Sequence, residues 1–159
     1  MFAYTIATIL FASGLASAAP ALAPRACQVS YPAALGFPIN YNIHQGANGA
    51  NAQVNALTFS NIPPNSYGCT LQVLFPANYP IASSGSSAIN VIATSTGAQE
   101  TLFGTLTLKS GPQPTKLTVN SAVCSRGMSY RLEIASKTEA GSVAFSETLG
   151  AGFVMTYNC

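Results

Sequence analysis

The chain has 159 residues, of which only 6% are charged, against about 25% in ordinary globular proteins. It contains no Asp, and its six Lys and Arg residues are scattered, giving a net charge of +2. Because nucleic-acid affinity depends on many cations that neutralise phosphates, this composition argues against nucleic acid as a partner. The polar surface must consist mainly of Ser, Thr, Asn and Gln, which suits partners whose binding depends little on salt.

The N-terminal segment has the pattern of a secretory signal peptide. An apolar run from about Ile6 to Ala12 is followed by Ala16 and Ala18, which fit the small-x-small cleavage rule. The run is too short for a membrane span, which needs about 20 apolar residues, so no span is expected after cleavage. We therefore expect a secreted, extracellular protein. The predicted division is a signal peptide over 1–18, a short tail over 19–26 and a single domain over 27–159.

Alternation of apolar and polar residues predicts eight strands, and no segment shows a convincing helical stripe. In 101–109 the pattern predicts that Leu102 faces the same way as Leu106 and Leu108. The segment 46–53 is predicted to be a loop, with a short helical turn as the alternative. The alternating segments, in chain order, are "NALTFSNI" (55–62), "CTLQVLF" (69–75), "AINVIA" (88–93), "TLFGTLTLK" (101–109), "TKLTVNSAV" (115–123), "MSYRLEIA" (128–135), "SVAFS" (142–146) and "GFVMTY" (152–157).

Turn signals separate these segments at fairly even spacing. They include Pro63-Pro64-Asn65, Ser84-Gly85-Ser86, Gly111-Pro112 and Ala140-Gly141. Many short strands separated by turn-forming residues are typical of two packed antiparallel sheets. The predicted fold class is an all-β, antiparallel β-sandwich of the jelly-roll type with about eight or nine strands.

Four cysteines, Cys27, Cys69, Cys124 and Cys159, follow the predicted signal peptide. An even number of cysteines in an exported chain predicts two disulfides. No C-x2-C pair exists and His44 is the single histidine, so neither a metal site nor a cofactor is predicted. Three pairings are possible. We favour Cys27–Cys159 with Cys69–Cys124, because the first and last strands of sandwiches often lie together, and Cys159 would then keep the last strand from fraying.

Four phrases of the sequence carry a resemblance: "YPAALGFPIN" (31–40), "FSNIPPNSYGCTLQVLFP" (59–76), "AVCSRGMSYRLEIAS" (122–136) and "GAGFVMTYNC" (150–159). Together they resemble a fungal C-terminal-domain family named after But-two, a yeast protein reported to bind the ubiquitin-like activating enzyme Uba-three. The resemblance implies a fungal, often secreted domain without established catalytic residues, in which Cys69, Cys124 and Cys159 belong to the framework. An exported chain would not meet a cytosolic activating enzyme, so ubiquitin-related binding is not inferred.

The acidic residues offer little to catalysis. A glycosidase needs two carboxyl groups about 5–10 Å apart, and a Ser-His-Asp triad is impossible without Asp. Glu133 lies opposite Arg131 in the pattern, and no glutamate is predicted to be desolvated as a general acid would be. His44 is interpreted as a loop or strand-end residue, so no catalytic residue is predicted. The four glutamates are Glu100, Glu133, Glu139 and Glu147.

Aromatic residues are the candidates for binding. Tyr31, Tyr41, Tyr67 and Tyr79, with Phe37, lie in or near predicted loops, where exposed rings could stack on sugars or anchor a protein. The alternative interpretation is that Phe37 and Tyr67 cover the ends of the core.

Three functional hypotheses follow from the sequence. The chain is either a cell-wall or surface-associated structural protein, or a secreted binding module or effector that recognises a glycan or a protein. The third and weaker hypothesis is a glycan-active enzyme, which would need a pocket that contains paired glutamates, or a glutamate with His44.

Overall fold

The computed structural model describes residues 26–33, 38–94 and 99–159, where the chain is all β. The predicted signal peptide, the tail up to residue 25 and Phe37 lie outside the described residues. No helix in the described ranges is long and apolar enough to cross a membrane. The strands are Gln28–Ser30 (β1), Ile39–Gln45 (β2), Asn55–Phe59 (β3), Cys69–Phe75 (β4), Ile81–Gly85 (β5), Ala88–Ala93 (β6), Thr101–Thr107 (β7), Thr115–Ala122 (β8), Met128–Ile134 (β9), Gly141–Glu147 (β10) and Gly152–Tyr157 (β11).

These strands form three antiparallel sheets around one core. Sheet I has the order β1-β11-β4-β8, sheet II has β2-β10-β5 and sheet III has β3-β9-β6-β7. Sheets II and III join where His44 and Gln53 exchange backbone hydrogen bonds of 3.2 and 2.7 Å. Sheet II packs on sheet I through aromatic contacts such as Tyr41 with Phe153 and Phe75 with Phe145. The predicted all-β sandwich is confirmed.

The strongest alternating patterns in the sequence correspond to the strands with the most regular alternation of burial. In β4, β9 and β10 buried and half-buried residues alternate without interruption, as period-2 patterning requires. The predicted number of strands is too low, because β1, β2 and β5 were not foreseen. The first has only three residues, while β2 (INYNIHQ) and β5 (IASSG) contain Asn, Ser and Gly, which strands usually disfavour.

Two of the predicted turns, and the loop, also differ in detail. Gly85 ends β5 and Gly141 begins β10, so each of these glycines lies within a strand and not in a turn. Both approach neighbouring backbone closely: a Cβ on Gly85 or Gly141 would overlap the carbonyl oxygen of Ala140 or Ser86. Segment 46–53 is a loop that contains one short 3-10 turn, Ala47–Gly49.

A β-bulge in β7 overturns one prediction of side-chain direction. Val91 pairs with Gly104 but Ile92 pairs with Leu102, so Phe103 is an extra residue in β7. Phe103 turns inward and its ring lies 5.0 Å from that of Tyr130. An extra residue reverses the alternation, and Leu102 is therefore 61% exposed. The expectation that Leu102 shares a face with Leu106 and Leu108 is wrong.

Because of the bulge, we expect truncation of Leu102 and of Leu108 to have very different effects on stability. Leu108 is fully buried in the core, so Leu108→Ala should lower the free energy of unfolding by about 2–5 kcal/mol. Leu102→Ala should change it by no more than about 0.5 kcal/mol. Denaturant unfolding of both variants measures this difference. Equal losses would show that β7 carries no bulge.

Two disulfides clamp the sandwich. Cys27 bonds Cys159, and Cys69 bonds Cys124, which is the pairing favoured from the sequence. The first bond joins β1 to β11, which already pair from Gln28 with Tyr157 to Ser30 with Met155. Next to the bond, the backbone amide of Asn158 donates to the carbonyl of Tyr67 at 2.9 Å. The last strand is thus fixed at its end, and all six of its residues are buried.

We expect both bridges to contribute strongly to stability. They close segments of 132 and 55 residues, which in the chain-entropy treatment corresponds to about 5 and about 4 kcal/mol. The double variants C27A/C159A and C69A/C124A should each unfold at much lower denaturant concentration than the parent. Only C27A/C159A should also speed backbone amide exchange in β1. An unchanged unfolding midpoint in either double variant would contradict the clamp.

Candidate functional site

The outward face of sheet II forms a shallow groove of about 610 Å³. Inward residues of these strands, such as Ile43 and Val143, belong to the core, so the alternate residues face outward. The central strand β10 contributes Ala144 and Ser146, which are small and leave the groove floor open. Among the described residues, none with a charged side chain lines this groove. Its outward lining residues are Asn40, Asn42, Ala82, Ala144 and Ser146, with Pro80 and Ser110 at the border.

Hydrogen bonds order one end of the groove. The Ser146 hydroxyl donates to Oδ1 of Asn40 at 2.7 Å, across the β2–β10 pair. The Tyr79 hydroxyl donates to the backbone carbonyl of Ser146 at 2.7 Å. The backbone amide of Asn42 donates to Oδ1 of Asn55 at 3.0 Å and so links β2 to β3. The Asn40 side-chain amide and the Ser146 hydroxyl are therefore held in place, and groups of this kind can both donate to and accept from a neutral ligand.

The predicted ligand-facing tyrosines have different positions. Tyr41 does not lie in a loop: it belongs to β2, is buried and stacks on Phe145 with ring centroids 5.0 Å apart. Tyr79 is half-buried and stacks on Phe75, and Tyr31 is half-buried as well. Tyr67 is 54% exposed. The structure does not bring the four rings together into one binding surface.

Tyr67 lies beside a second, more apolar depression of about 530 Å³. It is lined also by Val123, which is 92% exposed, and by Cys124, which is bonded to Cys69. The backbone of Tyr67 is fixed by Asn158, whose side-chain oxygen accepts from its amide at 3.0 Å. This patch is small and offers one exposed aromatic ring, which is the feature that protein partners commonly use as an anchor.

A third pocket has a volume of about 210 Å³. Its lining contains both His44 and Glu133, together with Lys137 and Asn90. A glutamate with His44 in one pocket is the arrangement that the enzyme hypothesis requires. The Glu133 carboxylate is engaged, however, because it accepts from Nε of Arg131 at 3.2 Å. The same guanidinium donates to both carboxylate oxygens of Glu100. In the described ranges no group of three His, Cys, Asp or Glu could hold a metal ion.

Glu147 is the largest departure from the sequence expectation. Its side chain is fully buried, with 0% exposure, although no glutamate was expected to be desolvated. Neither carboxyl oxygen makes a hydrogen bond of ordinary geometry within the described residues. The alternation of β10 contained the signal, because Val143, Phe145 and Glu147 share the buried face of "SVAFSE". A buried titratable group in a chain with so few charges is a candidate for function.

The surroundings of Glu147 explain how a carboxyl group fits into this core. Gly152 has a φ of +124°, and a Cβ at this position would overlap Cγ of Glu147 and lie 2.7 Å from Cδ. The missing side chain therefore makes the space for the carboxyl group. Burial raises the pKa of Glu147 to about 8, although the Phe153 amide and the Tyr41 hydroxyl lower it in part. Burial, followed by the charge of Glu147, raises the pKa of Tyr41 far above its ordinary range.

The raised pKa of Glu147 makes folding pH-dependent. Below its ordinary value of 4.5 the carboxyl group is neutral in both states, so the fold carries no penalty. Between pH 4.5 and about 8 the unfolded chain ionises more readily, so stability falls as pH rises, by on the order of 5 kcal/mol in total. Glu147→Gln should abolish this fall, whereas the exposed control Glu139→Gln should keep it. Denaturant midpoints across this pH range test the effect, and a parent protein equally stable at both ends would refute it.

No family model, curated protein or solved structure matches the chain. The resemblance to the But-two-like family therefore remains a prediction from the quoted phrases. The features of the molecule that bear on function are the groove, the two smaller pockets and the buried carboxyl group.

Proposed function

We propose that the chain is a secreted, non-catalytic β-sandwich that associates with a cell wall or cell surface by binding a neutral, polyhydroxylated glycan. The observation that carries this proposal is the groove on sheet II, whose described outward lining contains amides, a hydroxyl and alanines but no charge, over the buried or half-buried side chains of Tyr41, Ile81 and Phe145. Two disulfides in a small all-β domain are compatible with an extracellular compartment. This proposal joins the structural role with the binding role, since retention in a wall requires a ligand there.

Chemistry favours a sugar polymer over a charged ligand. Asn40 and Asn42 carry side-chain amides that both donate and accept, as sugar hydroxyls do. Ala82 and Ala144 leave room for a ring to approach the sheet. Because the described lining of the groove carries no charge, the groove cannot attract a charged ligand electrostatically, and its affinity for a ligand should be insensitive to salt. Because no exposed ring lines the floor for stacking, we expect a weak single-site affinity, on the order of 1 mM.

Removal of a groove amide tests the proposal. Asn42→Ala should weaken binding to neutral wall polysaccharide by about five- to tenfold, which corresponds to the net value of one hydrogen bond. Asn61→Ala is the matched control, because Asn61 is exposed and lies outside the groove. Retention on insoluble glucan, mannan and chitin should be measured at low and high salt. Failure to bind any of them, or release by salt alone, would contradict a neutral glycan site.

The same assay separates two alternatives. A protein-binding module would anchor through Tyr67 and Val123, so Tyr67→Ala would abolish capture of a partner and leave polysaccharide retention unchanged. A glycan-active enzyme would use the pocket with His44 and Glu133. Soluble oligosaccharides released over time, and lost in Glu133→Gln, would then replace stable retention.

A further inference from the structure

The buried carboxyl group and the groove are parts of the same two strands. On β10, Ser146 faces the groove and the next residue, Glu147, faces the core. On β2, Asn40 faces the groove and the next residue, Tyr41, lies buried beside Glu147. The Ser146–Asn40 hydrogen bond of 2.7 Å thus lies on the opposite side of the sheet from the Glu147 carboxyl group.

We propose that Glu147 is a proton-operated switch for the groove, which is ordered while the carboxyl group is neutral and opens at its Asn40–Ser146 end when the group ionises. This inference rests on the proposed function only in assigning the groove to a ligand. The coupling itself is a property of the two strands.

The position of Glu147 at a strand end makes a local opening possible. Its pairing with Ile39 is the last of the β2–β10 register, and the next pair inward is Ser146 with Asn40. Beyond it the chain turns through Thr148–Ala151, where Leu149 is exposed and Gly150 has a φ of +91°. A carboxylate can reach water here by releasing one or two strand pairs. Strand ends open at a lower free-energy cost than strand centres.

None of the described groups that face Glu147 is a cation that could stabilise its negative charge. From β2 the titratable neighbour is the Tyr41 hydroxyl, and from β11 the neighbours are the Gly152 backbone and the Phe153 amide. Within 26–33, 38–94 and 99–159 no charged side chain contributes to the pKa of Glu147, which burial raises to about 8. An ionised carboxyl group without a cation in a core of aromatic rings is strongly disfavoured. Ionisation is therefore relieved by movement of the strand end.

Opening at this end displaces groove groups directly. Asn40 and Ser146 would lose their mutual hydrogen bond, and the Tyr79 hydroxyl would lose the Ser146 carbonyl that it binds. Ligand affinity should then fall as pH rises, by at most about tenfold per pH unit because one proton is coupled. By reciprocity, a bound ligand should raise the pKa of Glu147.

The coupling is tested without any ligand by amide hydrogen exchange of the purified protein. The parent and Glu147→Gln should protect 39–41 and 144–148 equally at pH 5. At pH 8.5 the parent should be at least tenfold less protected there than the variant, through an opening that low denaturant does not promote, whereas β4 and β9 should exchange only through global unfolding. Comparison at one pH removes the intrinsic pH dependence of exchange. Equal protection of these two segments in parent and variant at pH 8.5, or their exchange only through global unfolding, would overturn the switch.

A second measurement needs no variant at position 147. Carboxyl carbon NMR of the parent protein, with glutamate labelled, should show a resonance of Glu147 that titrates with a pKa of about 8. Shifts of the Asn40 and Ser146 amides should follow the same midpoint. A buried resonance that titrates without any change at these amides would refute the coupling.

Binding is the final readout. Retention on insoluble glucan should fall between pH 6 and 8.5 for the parent and for Glu139→Gln, but stay level for Glu147→Gln. Retention that is level with pH in the parent would overturn the switch while leaving the groove as the binding site. If no polysaccharide is retained at any pH, the proposed function fails, and the exchange and NMR results still decide the coupling.

Discussion

The pairing of the first and last strands is the constraint on which the rest of this structure depends. The Cys27–Cys159 bond holds β1 beside β11, and β11 lies inside sheet I between β1 and β4. Phe153 of that strand contacts the rings of Tyr41 and Phe145 in sheet II. If β11 frayed, the aromatic floor beneath β2 and β10 would lose its support. The order of the groove on the far side of sheet II therefore depends on a crosslink in sheet I.

The shortage of charge shapes both faces of sheet II. On its outer face, Asn and Ser side chains provide polarity without a field, which suits a neutral ligand. On its inner face, one glutamate is buried, and no cation in the described part of the chain balances it. A protein with ordinary surface charge could compensate such a group by a nearby Lys or Arg. Here protonation neutralises the carboxyl group of Glu147. We therefore expect pH, and not salt, to control the order of the groove.

Much of the architecture could be predicted, and the parts that could not share a physical reason. Strict alternation identified β4 and β9, because both have one fully apolar face. The same test missed β2 and β5, since their outward Asn, Ser and Gly residues look like loop residues in a sequence. Asn40 and Asn42 of β2 line the groove, so in that strand the residues that hid it from the sequence pattern also belong to the candidate site. The bulge at Phe103 depends on pairing with β6, and β7 alone does not encode it.

The binding face is tested most directly by mapping NMR shift changes of the protein with a soluble gluco-oligosaccharide, at a pH where Glu147 is neutral. The account predicts that changes concentrate on the backbone and side-chain amides of Asn40 and Asn42 and on the amides of Ala144 and Ser146. Changes concentrated around Tyr67 and Val123, or around His44, would contradict it. So would a spectrum that no neutral oligosaccharide alters.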